Sequence, residues 1–357
     1  MTSRGKLSKH PKLRMAAEWE PHEATWIAWP HNENDWPGKF ACIPHIYAEI
    51  VRHLARGEQV HIVVNDAASE KRARKVLREC DALNGSVRFH HWRTDRVWTR
   101  DSGPIFVRNG KNLAATNWGF NGWAKYPNHK NDDLLPDHIG EFLGLQEFAP
   151  AVIKGGKIHP VVLEGGSIDV NGRGTMLTTE ECLLSTKQQR NPALGRKDLE
   201  QVFAKYLGIG NVVWLGRGIE GDDTHGHVDD ISRFVAPRSV LTVIEPNKRD
   251  KNHAPLKENF KRLRTATDQH GKRLEVVELP MPSPIYHKGQ RLPASYANFY
   301  IANGVVLVPI FGDPNDRVAL DIIAKALPSR TVIPVYCRDL IWGLGAIHCM
   351  TQQQPAI

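Results

Sequence analysis

The chain has 357 residues, with 47 Lys and Arg against 39 Asp and Glu, a net charge of +8 with neutral His, 41% apolar residues and 24% charged ones. That balance fits a folded globular protein and excludes fibrous, disulfide-scaffold and disordered classes. No apolar run approaches the roughly 18 residues of a membrane helix; one of the longest, Gly304 to Phe311, already holds a proline.

In chain order, residues 1–14 come first. They carry Arg4, Lys6, Lys9, Lys12 and Arg14 with no acid, which is five of the eight net charges. A solvated, poorly ordered arm is expected, with a polyanion-binding arm as the alternative. No apolar segment follows, so no secretory signal is expected, and Met15 is an alternative start. Residues 15–357 are expected to form one domain, with no linker or low-complexity stretch.

Ile46, Ile50, Val51 and Leu54 then recur at helical spacing before Gly57, and QVHIVVN follows as a strand. Four later segments share one layout: TRDSGPIFVRNGKNLAATNW from Thr99, LEGGSIDVNGRGTMLTTE from Leu163, GHVDDISRFVAPRSVLTVIE from Gly226 and ASYANFYIANGVVLVP from Ala294. Each is an extended run, a turn of Asn, Gly or Pro, and a second extended run, the pattern of a β-hairpin. Helices accompany them. Leu199, Val202, Phe203, Tyr206 and Leu207 mark one that stops at Gly208, and Asn315 is a candidate N-cap for another through Val318, Ile322, Ile323 and Leu327. Strands NVVWL, LEVVEL and TVIPVYC follow the helices, so the repeating unit is strand, strand, helix, strand.

Aligned on Ile105, Ile168, Ile231 and Phe299, the hairpins recur at steps of 63, 63 and 68 residues, and ATWIAWPH near Trp26 supplies a fifth, more degenerate copy. Four residues before each aligned position stand Asp101, Glu164, His227 and Ser295. In a ring of repeats such equivalent positions converge on the axis. A packed core does not place unpaired ionisable groups there, because burying them is costly. A central polar site is therefore expected, with the flanking Gly103, Gly165, Gly166 and Gly226 leaving room for a ligand.

The densest chemistry lies in Glu220-Gly-Asp-Asp-Thr-His-Gly-His-Val-Asp-Asp230. Read as an extended strand, it projects Asp223, His225, His227 and Asp229 from one face, with Asp230 opposite. A metal-free His/Asp acid–base pair is one reading. The other is a metallohydrolase site on His225, His227 and Asp229, since THGHVDD resembles the THxHxDH signature of metallo-β-lactamase-type hydrolases. Gly216, Gly218 and Gly221 fit GxGxxG, but acidic, strand-like sequence follows rather than a helix N-terminus, so no dinucleotide site is expected. The ten Trp and the basic charge do not form a stripe suited to nucleic acid. Cys42, Cys80, Cys182, Cys337 and Cys349 are scattered and odd in number, with no CxxC; this suits a reducing, cytoplasmic setting without a disulfide framework. Cys182 and Cys337 are read as lying in apolar strands. Cys349, bracketed by polar residues after Gly343 and Gly345, is the candidate nucleophile.

EWEPHEATWIAWPH, VWTRDSGPIFV, EGGSIDV, GDDTHGHVDD and GLGAIHCMTQQ together resemble, in order, the motifs of agmatine deiminases and the bacterial peptidyl-arginine deiminase-like family, over nearly the whole chain. The resemblance implies an α/β fold of the pentein type, a five-bladed α/β-propeller of pseudo-fivefold ββαβ repeats. It implies deimination of agmatine to N-carbamoylputrescine and ammonia in putrescine biosynthesis, through a Cys thiouronium intermediate and without metal or organic cofactor. It implies Cys349 as nucleophile, His227 as general acid/base and Glu164 as its orienting carboxylate. Asp101 and Asp229 grip the guanidinium, Trp98 and Trp123 line its pocket, and Asp223 lies near the amine end. The implied partner is a small cationic guanidino substrate, with neither nucleic acid nor membrane; the sequence leaves the oligomeric state open, a homo-oligomer among the alternatives.

Leu344 and Ala346 replace a Gly and an Asn of the family's nucleophile loop, and His225 stands where many members carry an acid. These departures keep arginine or a peptidyl arginine open as substrate, with His225 as partner for its carboxylate.

Overall fold

The computed structural model describes residues 13–357. Residues 1–12 of the basic arm lie outside the described residues. The last two residues of that segment, Leu13 and Arg14, form an edge strand antiparallel to Ile105–Asn109, and Arg14 is ion-paired with Glu20 at 2.5 Å.

Five sheets repeat one order: two antiparallel strands, a helix, then a strand parallel to the second. Ile105–Asn109 and Asn112–Thr116 lead through the helix Leu135–Leu143 to Gln146–Phe148. Asp169–Val170 and Thr175–Thr179 lead through Arg196–Leu207 to Asn211–Leu215. Ser232–Phe234 and Ser239–Ile244 lead through His253–Thr265 to Glu275–Pro280. Tyr300–Ile301 and Val305–Ile310 lead through Asn315–Ala326 to Thr331–Tyr336. In the remaining unit the chain's end supplies the first strand: Gln352–Pro355 pairs antiparallel with His22–Ala28, which leads through Ile43–Leu54 to Gln59–Val64. The degenerate copy near Trp26 is thus a complete unit whose opening strand lies over 320 residues downstream.

The second strand of each unit lies between two neighbours and beneath helices, so it reads as a continuous apolar run. Val305–Ile310 and Ser239–Ile244 each bury their four central residues. The helix Arg196–Leu207 stops where predicted, with Gly208 left-handed at φ 72°. The helix expected after Asn315 starts at Asn315 itself rather than being capped by it. The Asp316 carboxylate accepts the amides of Phe311, Gly312 and Asp313, while the Asn315 side chain donates to the Met281 carbonyl. No helix among the described residues is long and apolar enough to cross a membrane.

Ahead of the first strand, the units do not begin extended. Each of three opens on one helical turn, Thr99–Ser102, Gly165–Ser167 and Val228–Asp230, and these turns carry the aligned polar residues inward.

Candidate active site

The aligned residues meet. Asp101 lies within its turn, while Glu164 and His227 immediately precede theirs; all three are buried. Cys349 stands three residues before the strand Gln352–Pro355, so it occupies the matching place in the unit closed by the chain's end. Ser295, the fourth aligned residue, donates to the Asp230 carbonyl and accepts from the Ala297 amide; its neighbour Asn298 faces the centre instead.

His227 sits between two carboxylates. Its Nε2 is 3.7 Å from Glu164 Oε2 and its Nδ1 is 3.7 Å from Asp101 Oδ1. These are electrostatic contacts, too long for hydrogen bonds. Both ring nitrogens and Glu164 Oε2 are buried without a hydrogen-bond partner. Gly166 makes this juxtaposition sterically open. A Cβ there would lie 2.6 Å from His227 Nδ1, 2.8 Å from Asp101 Oδ1 and 3.1 Å from Asp229 Oδ2. Its amide donates to Asp101 Oδ1 at 3.0 Å, and Trp123 Nε1 donates to Asp101 Oδ2 at 2.8 Å.

Around Cys349, Asn298 Nδ2 lies 3.1 Å from Sγ, and Sγ lies 3.7 Å from Asp229 Oδ2. Asp229 is fixed by His348, whose Nδ1 is 2.7 Å from Oδ2 and whose Nε2 is 2.7 Å from Glu18 Oε2. Glu18 in turn pairs with Arg233 at 2.7 Å. Asp229 Oδ1 has no partner.

The electrostatics leave room for a cation. Burial raises Asp101 to about 6, with His227 opposing and Asp229 and Glu164 adding to the rise. Burial also penalises Glu164, but the Arg190 guanidinium, 3.0 Å from Oε1, and His227 bring it down to about 2. Burial acts against charge on His227, yet Asp101 and its other neighbours raise it well above the ordinary imidazole range. The Cys349 thiol is pushed far up by burial and by Asp229, Asp230 and Asp101. At rest the site therefore holds an imidazolium and a thiol beside carboxylates, and a cation entering there favours the thiolate.

A cavity of about 460 Å³ ends at Cys349 and Asp101 and is lined by Trp98, Trp123, Leu344 and Asp223. Trp123 and Leu344, both on this wall, hold left-handed φ values of 57° and 67°, which are costly for such side chains. At the mouth Asp223 is already engaged: Lys125 Nζ sits on Oδ1, and the Tyr126 hydroxyl donates to Oδ2 at 2.7 Å. Arg96 also lines the mouth, stacked 4.1 Å over Tyr126 and 3.3 Å from Asp35.

The extended reading of residues 223–229 is corrected. The Asp222 carboxylate accepts the amides of Thr224, Gly226 and His227, and His225 and Gly226 take left-handed φ of 65° and 97°. This tight loop sends His227 and Asp229 to the centre and turns His225 away to Ser185 Oγ at 3.2 Å, in a different groove. His225, His227 and Asp229 therefore form no common ligand set, and His225 does not reach the substrate cavity. Asp230, placed opposite by that reading, is buried beside Asp229 and accepts from Asn298 at 3.0 Å.

Cys182 is likewise corrected. It lies in the short helix Glu180–Leu184, not a strand, and its thiol closes a buried group with Glu164 and His227, all donor atoms within 4.8 Å. Sequence reasoning did not single out Arg190, Asn298, His348 or Glu18. Of these, His348 adjoins the nucleophile and Glu18 opens the motif EWEPHEATWIAWPH, whereas Arg190 carries no sequence cue beyond the buried Glu164 that demands a cation.

A model of the Porphyromonas-type peptidyl-arginine deiminase family matches residues 14–355. The agmatine deiminase of Pseudomonas aeruginosa is 34% identical over 368 residues, covering 96% of each chain. The agmatine deiminase of Enterococcus faecalis superposes with a TM-score of 0.86 at 30% identity over 99% of each chain. That of Campylobacter jejuni with substrate bound gives 0.83 at 27% identity over 96% of each. With five ββαβ units in the same arrangement, the chain has the pentein fold, and it belongs to the Porphyromonas-type peptidyl-arginine deiminase family.

Proposed function

We propose that this protein is an agmatine deiminase, hydrolysing the guanidinium of agmatine to N-carbamoylputrescine and ammonia. The observation that carries this is one cavity that ends at the Cys349 thiol and a buried carboxylate, with the His227 imidazole held between Glu164 and Asp101. Asp101 and Asp229 take the guanidinium nitrogens by charge-assisted bonds and orient its carbon toward sulfur. Asp229 Oδ1, buried without a partner, is the acceptor left free for this. The cation cancels the carboxylate field on Cys349, and the thiol proton leaves to solvent.

The thiolate then adds to the guanidinium carbon. His227 gives its Nδ1 proton to the departing nitrogen, which leaves as ammonia, and an S-alkylthiouronium remains. Neutral His227 takes a proton from water, hydroxide adds to the same carbon, and the adduct expels the thiolate and the urea product. Glu164, anchored by Arg190, holds the far ring nitrogen and favours the imidazolium. Trp98 and Trp123 wall the substrate. The chemistry needs neither metal nor organic cofactor. The free cysteines suit a cytoplasmic enzyme, and the product lies one hydrolysis from putrescine.

Arginine is the second reading. Its support is the pair of cations at the mouth, Arg96 and Lys125, of which Lys125 already occupies Asp223. Comparing kcat/KM for ammonia release from agmatine, arginine and a peptide ending in arginine decides between them; a preference for arginine sinks the first reading. Cys349→Ala should abolish release from every substrate, and retained turnover would overturn the mechanism.

A further inference from the structure

We propose that Glu164, Cys182 and His227 form an inhibitory binding site for a thiophilic divalent cation of the zinc class, distinct from the nucleophile Cys349. A thiol, an imidazole nitrogen and a carboxylate oxygen lie within 4.8 Å of one another, all buried. That is a ligand set zinc takes readily, at about 2.0–2.3 Å from each atom, with a water in the fourth position. Two of the atoms are free for it. Glu164 Oε2 and His227 Nε2 have no hydrogen-bond partner, because Arg190 uses the other carboxylate oxygen, Oε1.

The charge closes as well. Before binding, Glu164 and Asp101 are balanced by Arg190 and a protonated His227. A divalent cation displaces the Cys182 proton and one His227 proton, so the buried charge is unchanged and no new desolvated charge is created. The metal takes Nε2, which faces Glu164, and leaves the remaining proton on Nδ1, which faces Asp101. Such an imidazole cannot accept a proton from water, so the thiouronium would not be hydrolysed. This inhibition rests on the deiminase reading; the binding does not.

The test uses the full chain as Cys349→Ala, alone and combined with Cys182→Ala or Cys182→Ser. Zn²⁺ affinity is measured by chelator competition, and Co²⁺ is used to look for a thiolate charge-transfer band. Cys349→Ala should bind one Zn²⁺ per chain and show the band. Both double variants should lose the band and bind Zn²⁺ at least about 10- to 100-fold more weakly, the loss that removing even an outer-shell partner causes. Equal affinity in single and double variants would overturn the site, as would Zn²⁺ binding that vanishes with Cys349 alone, which places the ion on the nucleophile. In active protein, Cys182→Ser compared with its own zinc-free rate should tolerate at least about tenfold more Zn²⁺; unchanged sensitivity would overturn the inhibitory role.

Discussion

Between pH 7.5 and pH 5 the protein should lose about tenfold in efficiency toward agmatine beyond what protonation of its thiol costs, because one of the two carboxylates that grip the cation has become a neutral acid. Asp101 titrates at about 6 in the free protein instead of its ordinary 3.8. Only its ionised form holds a guanidinium, so below pH 6 kcat/KM should lose a further tenfold per unit, to about one-eleventh at pH 5, on top of the uniform slope that loss of the Cys349 proton imposes across the whole range. His227 does not produce this limb, since its own titration is displaced upward. The assay is ammonia release at low substrate across pH 4.5–8. Trp123→Phe supplies the control that ties the limb to Asp101. It deletes the 2.8 Å bond from Nε1 to Oδ2, which favours the ionised carboxylate. A bond to a charged group contributes about 1.5–3 kcal/mol, so the limb should move up by about one to two pH units. A limb near pH 4 in the unaltered protein, or one that stays put in Trp123→Phe, would refute the reasoning.

Other substitutions probe the surrounding contacts. Glu164→Gln leaves the fully buried Arg190 guanidinium uncompensated and should destabilise the fold by about 3–5 kcal/mol in urea titrations; an unchanged midpoint would show that Arg190 finds another partner. Gly166→Ala puts a methyl against His227 Nδ1 and both guanidinium-facing carboxylates, so kcat/KM should fall by about 100-fold or more while the fold persists by circular dichroism. Lys125→Met releases Asp223 for the substrate's ammonium. The pair is part-exposed and worth about 1 kcal/mol at most, so KM for agmatine should fall by up to about fivefold, with no change for a guanidine that lacks the amine. A rise in KM would mean that Lys125 shapes the mouth rather than competing for it.

The repeat was legible because it rests on local signals. Hairpin turns, helical spacing and the stop at Gly208 each reflect backbone preferences that neighbouring residues express on their own. From those alone, the alignment placed Asp101, Glu164 and His227 at one structural offset, and the fold brings these three together. The segment Asp223–Asp229 was misread because alternation fits a strand only when nothing competes for the backbone. Here the Asp222 carboxylate captures three amides and winds the chain into a loop, which sends His225 elsewhere.

What the chain order conceals is the closure. Gln352–Pro355 completes a unit begun at His22, and this long-range pairing makes Cys349 the fifth equivalent of Asp101, Glu164 and His227. No window of sequence contains both partners. The same holds for Arg190 against Glu164, His348 between Asp229 and Glu18, and Lys125 on Asp223, where each partner is distant in sequence or set by loop geometry. The sequence determined the repeating unit and the chemical types at its inner end. Only the tertiary structure decided which charges face one another, because burial converts those distant neighbours into the groups that set each proton's place.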